Sequence, residues 1–351
     1  MLGQHVISVV AIFAALTSGQ TLVSVLEDNG FSEYAALIQG DPSIEAASDL
    51  IVYAPTDAAL VANNETLNRR VTAEGRKNIR ASLACVRRSA FRPRPPPKRA
   101  QTWGNSTRPV RYRKEVPSGS AFMSLLSDPE FVNLGPGVNQ SIVEKHPGSS
   151  ELPVVFSGLG ETIKVTGNDI AFDRGVIRPT DGLPTLPETA SKTLPFLGVS
   201  TFFDALNQTG VLAELDTRRG PITILAPDDN AFKGKAFTHD QLTALVRRHV
   251  LVDYFAYTPL LEDHQVYPTL GGGEVVVAVN NKGAASLGGA GILAGDAIIT
   301  NGVVHTIDKI IDAAGSPPPL VTGGANSMTG QSWKALVASA VGVVLAAGFL
   351  A

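Results

Sequence analysis

Apolar positions along the chain fall into two helical runs, each followed by a β-rich one. Leu22, Val25, Leu26, Tyr34 and Leu37, and later Phe202, Phe203, Leu206, Val211 and Leu212, recur at the spacing that lines one face of a helix. Behind the first comes Ile51-Val52-Tyr53-Ala54-Pro55-Thr56-Asp57, and behind the second Ile222-Thr223-Ile224-Leu225-Ala226-Pro227-Asp228-Asp229. Both read as a short strand stopped by proline, which cannot donate to a ladder, and then a cap in which Thr56 or Asp228 accepts free amide hydrogens. Each copy closes on a glycine turn that feeds a strand, at Gly175 within Asn168 to Arg178 and at Gly302 within Asp296 to Asp308. The pair Asn301-Gly302 suits the positive backbone angles of a tight hairpin. The pattern predicts a duplicated α+β unit, with the Pro-rich stretch Leu183 to Pro195 as a semi-rigid spacer between the copies.

The two ends of the chain do not belong to this pattern. Val6 to Leu16 is apolar and runs into Thr17, Ser18 and Gly19, the layout of a secretory signal over residues 1–19 and too short to cross a bilayer comfortably; an amphipathic first helix is the alternative. Ala335 to Ala351 is uncharged, follows a polar spacer within 315–334, and is preceded by the small residues Gly323, Gly324 and Ala325. That order predicts a glycosylphosphatidylinositol anchor attached at Gly323 or Gly324, with Asn326 as a third choice, against the alternative of a tail-anchored helix.

Composition narrows the class. A formal charge of -3 argues against bulk nucleic-acid binding. Cys85 is the only cysteine, so no disulfide within the chain supports the fold and each unit has to bury a core of its own; the apolar neighbours Ile79, Leu83 and Val86 favour burial of the thiol. Asn64, Asn105, Asn139 and Asn207 each begin an Asn-x-Ser/Thr triplet, and an exported chain would carry N-glycans at such sites. The stretch Arg87 to Lys114 holds ten Lys or Arg, no acid, and five prolines, too little apolar surface to order itself. A flexible insertion over 87–118, a basic patch for polyanionic matrix, and non-coding sequence translated in error all remain open.

The chemistry-bearing residues do not assemble a catalytic pattern. No two of the six histidines stand at the spacing of a helical metal pair, and no metal or cofactor is expected. Asp228 and Asp229 are adjacent, so their side chains diverge and do not pair for acid–base work. Gly271 to Gly273 and the glycines from Gly283 to Gly291 lie between β-branched runs, which suits hairpin connections better than a phosphate loop opening a helix.

The Ala-Pro-Thr/Asp-Asp segments of both units, Asn301-Gly302-Val303-Val304-His305-Thr306-Ile307-Asp308, and Arg248-His249-Val250 ahead of a strand together resemble the fasciclin family of extracellular adhesion domains. The second unit follows the pattern from about Thr193 to Ala314; the first departs from it through its long insertion and lacks a Tyr-His element. The resemblance implies an α+β fold of two fasciclin-like domains, 20–182 and 196–314, each a β-sheet wedge flanked by α-helices, acting without a catalytic centre in adhesion or matrix contact. Its implied partners are cell-surface or matrix proteins or glycans, and the membrane through the lipid anchor. Thr56, Asp57, Asp228 and Asp229 are the expected contact residues, against the alternative that they only cap helices. His249 and His305 fall at family positions, where the choice is between structural histidines bonded to backbone and the cleft of a ligand-binding pocket or hydrolase.

Overall fold

The computed structural model of the chain describes residues 20–62, 84–90, 119–147, 151–280 and 283–312. All of them lie in one compact unit, Met1–Pro317, that contains helices and two mixed β-sheets. The expected signal segment 1–19, Asn64, Asn105, residues 91–118 of the expected insertion, the anchor positions Gly323, Gly324 and Asn326, and the apolar tail lie outside the described residues.

In the N-terminal half, the first expected helix is two: α1 (Leu22–Asp28) and α2 (Ser32–Ile38), broken at Gly30, whose φ of +82° is left-handed. Leu22, Val25, Leu26 and Tyr34 are buried as the pattern requires, but Ile38 takes the buried place expected of Leu37. α3 (Pro42–Ala46) leads into β1 (Leu50–Pro55), buried along its whole length, and α4 (Asp57–Ala62) follows. Then come β2 (Ala84–Ala90), β3 (Gly119–Ser124), β4 (Ser141–Lys145), β5 (Val154–Phe156), β6 (Thr162–Lys164), β7 (Ile170–Phe172) and β8 (Gly175–Thr180). Strand β2 runs through Arg87 to Ala90, so the expected insertion begins later than its composition suggested: β1 pairs with Ala84 to Val86, and Ala90 is held opposite Phe122 of β3.

The C-terminal half opens with α5 (Ala190–Thr193), α6 (Ser200–Gln208) and α7 (Val211–Thr217), then β9 (Ile222–Pro227). After a 3-10 turn at Asp229–Phe232 comes α8 (His239–Arg248), which starts in a full capping box between Thr238 and Gln241. β10 (Val250–Val252), β11 (Val266–Pro268), β12 (Glu274–Val279), β13 (Ala285–Leu287), β14 (Ala290–Ile299) and β15 (Gly302–Ile307) complete it. The glycines at 271–273, 283 and 288–289 do connect neighbouring antiparallel strands.

The two sheets are one ring cut at different places. The N-terminal order is β6-β5-β4-β3-β2-β1-β8-β7 and the C-terminal order β10-β9-β15-β14-β13-β12-β11. In both, the Ala-Pro strand lies parallel to the strand that the closing glycine begins, with Leu50 opposite Gly175 and Ile222 opposite Gly302. An isolated bridge from Leu251 to Thr269 draws the cut edges of the C-terminal sheet together, and one from Val165 to Thr180 brings the end of β6 to β8 in the N-terminal sheet. The long β14 pairs first with β13 and then with β15 across register shifts between Ile292 and Ala297. The same path in the N-terminal half is divided between the separate strands β6 and β7.

Gly175 and Gly302 stand where expected, and Gly302 has the positive φ, +159°, that the Asn-Gly pair suggested. Asn301 is not among the described non-glycine residues of positive φ. Both glycines are also required by close approach to the neighbouring parallel strand, since a Cβ would lie 2.1 Å from the Leu50 carbonyl oxygen at Gly175 and 1.9 Å from that of Ile222 at Gly302.

The stretch from Leu183 to Pro195, expected as a semi-rigid spacer, is hydrogen-bonded to both halves. Gly158 N–H donates to the Thr185 carbonyl, Thr300 N–H to that of Glu188, and Ala190 and Leu194 are fully buried in the C-terminal core. Between the halves lies a shared core of Ala121, Leu126 and Val143 against Phe255, Tyr257 and Ile298. Consecutive residues of β4 use both of its faces: Glu144 accepts from Tyr53 at 2.8 Å and from Arg178 at 2.6 Å, whereas Lys145 reaches Asp296 of the other half at 2.9 Å. Arg178 also grips Asp169 through two hydrogen bonds of 2.8 Å. Burial works against its charge, yet these partners hold its pKa above the ordinary value.

Candidate functional site

The expected contact residues are helix caps. Thr56 Oγ1 accepts from the Ala59 amide at 3.2 Å, and Asp228 Oδ1 from the Ala231 amide at 2.9 Å. Asp57 and Asp229 reach further back. Asp57 accepts from the amides of Ser32 at 3.1 Å and Glu33 at 2.9 Å, at the start of α2, whose own N-cap Phe31 has no side-chain oxygen. Asp229 does the same for α6, taking the Ser200 hydroxyl at 2.6 Å and the Thr201 amide at 2.7 Å, beside N-cap Val199. The Ser200 hydrogen bond, assisted by Thr201, lowers the pKa of Asp229. The sequence signal for this long-range cap is the repeated Gly30-Phe31-Ser32 and Gly198-Val199-Ser200, whose glycines are both left-handed.

His249 and His305 are fully buried, and their ring nitrogens are used by backbone. His249 Nδ1–H donates to the Leu245 carbonyl at 2.8 Å while Nε2 accepts from Ile311 N–H at 2.9 Å. His305 takes the opposite tautomer, with Nδ1 accepting from Asp296 N–H at 3.0 Å and Nε2–H donating to the Ala256 carbonyl at 2.9 Å. Burial lowers both pKa values, that of His249 to about 4. The reading of a cleft around these two histidines is therefore overturned: the rings are sealed into the fold, with no exposed nitrogen to meet a substrate. Among the described residues no group of three His, Cys, Asp or Glu side chains is placed to hold a metal ion, and no helix is long and apolar enough to cross a membrane.

The open concavity lies elsewhere, between the outer face of α8 and the β11–β12 hairpin, in a groove of about 690 Å³. One wall is His239, Asp240, Thr243, Ala244, Arg247 and Arg248, and the other is the hairpin tip from Thr269 to Gly273. The tip is built by its threonine: Thr269 N–H donates to the Gly273 carbonyl at 2.8 Å, Thr269 Oγ1 accepts from Gly273 N–H at 3.0 Å, and Gly272 between them has a φ of +81°. Gly271 N–H donates to the Arg247 carbonyl at 3.0 Å, which ties the tip to the end of α8. Arg247 forms an ion pair with Glu214 of α7, whereas Arg248, half-buried at the same end, makes no side-chain hydrogen bond or ion pair among the described residues. A second, small pocket beside Tyr53, Gln140, Phe156 and Ile298 has room for about 20 Å³, enough for a water and little more.

Of the two described sequons, Asn207 is exposed on α6, while Asn139 is half-buried with its Nδ2 donating to the Ser124 carbonyl at 2.9 Å.

Residues 197–313 match the family model of the fasciclin domain. A fasciclin-like arabinogalactan protein of Cercospora beticola is 28% identical over 183 residues, 51% of this chain and 49% of that protein. Another, from Phaeosphaeria nodorum, is 29% identical over 161 residues, 45% of this chain and 51% of that protein. The chain thus spans about half the length of these curated relatives. A solved fasciclin domain pair from the insect cell adhesion molecule fasciclin I covers 81% of this chain and 97% of that structure, at 14% identity and a TM-score of 0.35. The fasciclin family is the one that the family model and the fungal relatives support for this chain, with the matched domain at residues 197–313.

Proposed function

We propose that this chain is an extracellular, non-enzymatic protein of the cell surface, which makes adhesive or wall contacts through tandem fasciclin domains at 20–182 and 196–314 and is held to the outer face of the plasma membrane by a glycolipid. Its partners are cell-surface or matrix proteins or glycans, engaged by the groove between α8 and the β11–β12 hairpin rather than by the capping residues. The observation that carries this reading is Arg248, a guanidinium without a partner among the described residues, on an open polar wall of the half that matches the fasciclin model. The names of the two fungal relatives agree with such a surface protein. Asn207, exposed on α6, is the described sequon best disposed to carry a glycan. Individually weak contacts gain strength when many anchored copies act together.

The test is attachment of cells that display the full chain, compared with cells lacking it and with cells displaying Arg248→Glu at equal surface level. Loss of attachment in both comparisons is expected; equal attachment of all three would remove the groove from the account. Release by a phosphatidylinositol-specific phospholipase, followed by peptide mass mapping, checks the anchor at Gly323, Gly324 or Asn326 and the glycan at Asn207 in one preparation.

A further inference from the structure

The two walls of the α8 groove differ in a way that selects a class of ligand. Among the side chains lining it only that of Ala244 is purely hydrocarbon, so an acyl chain or an apolar peptide finds no surface to bury. The opposite wall is bare at Gly271 to Gly273, where backbone alone faces the groove and a rigid ring can approach closely. Its volume of about 690 Å³ falls among those of ordinary small-ligand sites, which span roughly 300–1,000 Å³.

Charge is divided along its length. Arg247 is committed to Glu214, which leaves the fork of Arg248 to receive a carboxylate in the paired geometry that guanidinium favours. Carbonyls at a helix C-terminus repel an anion, but here the Arg247 carbonyl is already occupied by Gly271 N–H. Asp240, at the other end of α8, accepts hydrogen bonds from hydroxyls and repels a second carboxylate. Eight positions of helix at ~1.5 Å each put the two ends about 12 Å apart, so a ligand meeting both is extended.

We propose that the groove binds an oligosaccharide that bears a single uronate at one end, with its carboxylate on Arg248 and neutral ring hydroxyls along Thr243 and Asp240. This rests on the contact reading above and names its ligand class. A uniformly acidic peptide is disfavoured by Asp240, and a neutral glycan leaves Arg248 without a partner.

The experiment titrates the full secreted chain with a short xylo-oligosaccharide carrying one glucuronate, with its neutral parent, and with a glutamate-rich peptide, by calorimetry and by amide shifts at Thr243 and Gly272. Saturable binding of the first, at least ten-fold tighter than either of the others and reduced to the level of the neutral parent by Arg248→Ala, is the expected result. Equal binding of the neutral parent, equal or tighter binding of the peptide, no saturable binding at all, or no effect of Arg248→Ala overturns the proposal. If Arg248→Glu abolishes cell attachment while no saccharide binds, the ligand class is wrong and the contact reading stands.

Discussion

Burial holds His249 neutral in the folded chain, with a pKa lowered from 6.5 to about 4. The unfolded chain regains the ordinary value, so between those limits it takes up a proton that the fold refuses. Stability from this residue is therefore complete above pH 6.5 and falls by ~1.4 kcal/mol per pH unit as the solution is acidified, about 3 kcal/mol in all by pH 4. His305 shifts in the same direction and adds to the slope. Urea midpoints followed from pH 7 to pH 4 should fall more steeply for the natural chain than for His249→Gln, which keeps an acceptor for Ile311 N–H without titrating; parallel curves would contradict a neutral buried ring. The aspartate caps are smaller effects. Asp57→Ala and Asp229→Ala each remove an acceptor from two donors at a helix start and should cost about 1 kcal/mol by chemical denaturation, with Asp229→Asn losing less.

For the elements, the tightest constraint is the approach of the closing strand to the Ala-Pro strand. A Cβ at Gly302 meets the Ile222 carbonyl oxygen, a backbone atom inside a fully buried parallel pair, and neither strand can move without disturbing its other neighbour. Gly302→Ala should cost about 2–3 kcal/mol in thermal or chemical unfolding. Gly234, left-handed with no atom within 4 Å of its would-be Cβ, is the control: Gly234→Ala should cost only about 1 kcal/mol, from backbone conformation alone.

Over the whole molecule, the junction makes the two halves depend on each other. The Lys145–Asp296 pair is largely dry, with side-chain exposures of 19% and 0%, and Asp296 also accepts from Thr258 N–H at 2.9 Å and from the Thr258 hydroxyl. Lys145 further lies 3.8 Å from the centre of the Phe156 ring. Lys145→Met strands a buried carboxylate and should destabilise by about 3 kcal/mol. Because the shared core must open with it, calorimetry of the natural chain should give one transition for both halves. Two well-separated transitions would show that the junction contributes little.

Periodicity of apolar residues was enough to locate the helical runs, because burial of one face imposes its period on the chain whatever the partner is; the two Ala-Pro corners and the two closing glycines were legible from backbone chemistry, since proline cannot extend a ladder and glycine marks a turn. Local hydrogen-bonding chemistry likewise made Thr56 and Asp228 legible as caps, since cap and helix are neighbours in sequence. What sequence alone left open were relations between distant residues. The reach of Asp57 to α2 and of Asp229 to α6 arises from helices packed beside the Ala-Pro corners, the backbone oxygen that excludes a Cβ at Gly302 from two strands laid side by side, and the pairing of Lys145 with Asp296 from the junction of the two halves. Packing also divides the roles among polar groups: His249 and His305 were taken up by backbone when the core closed around them, whereas Arg248, next in sequence to His249, was left half-buried on the groove wall. Tertiary packing decided this, because helical geometry turns successive residues by about 100° and only the placement of the sheet determines which of two neighbours is buried.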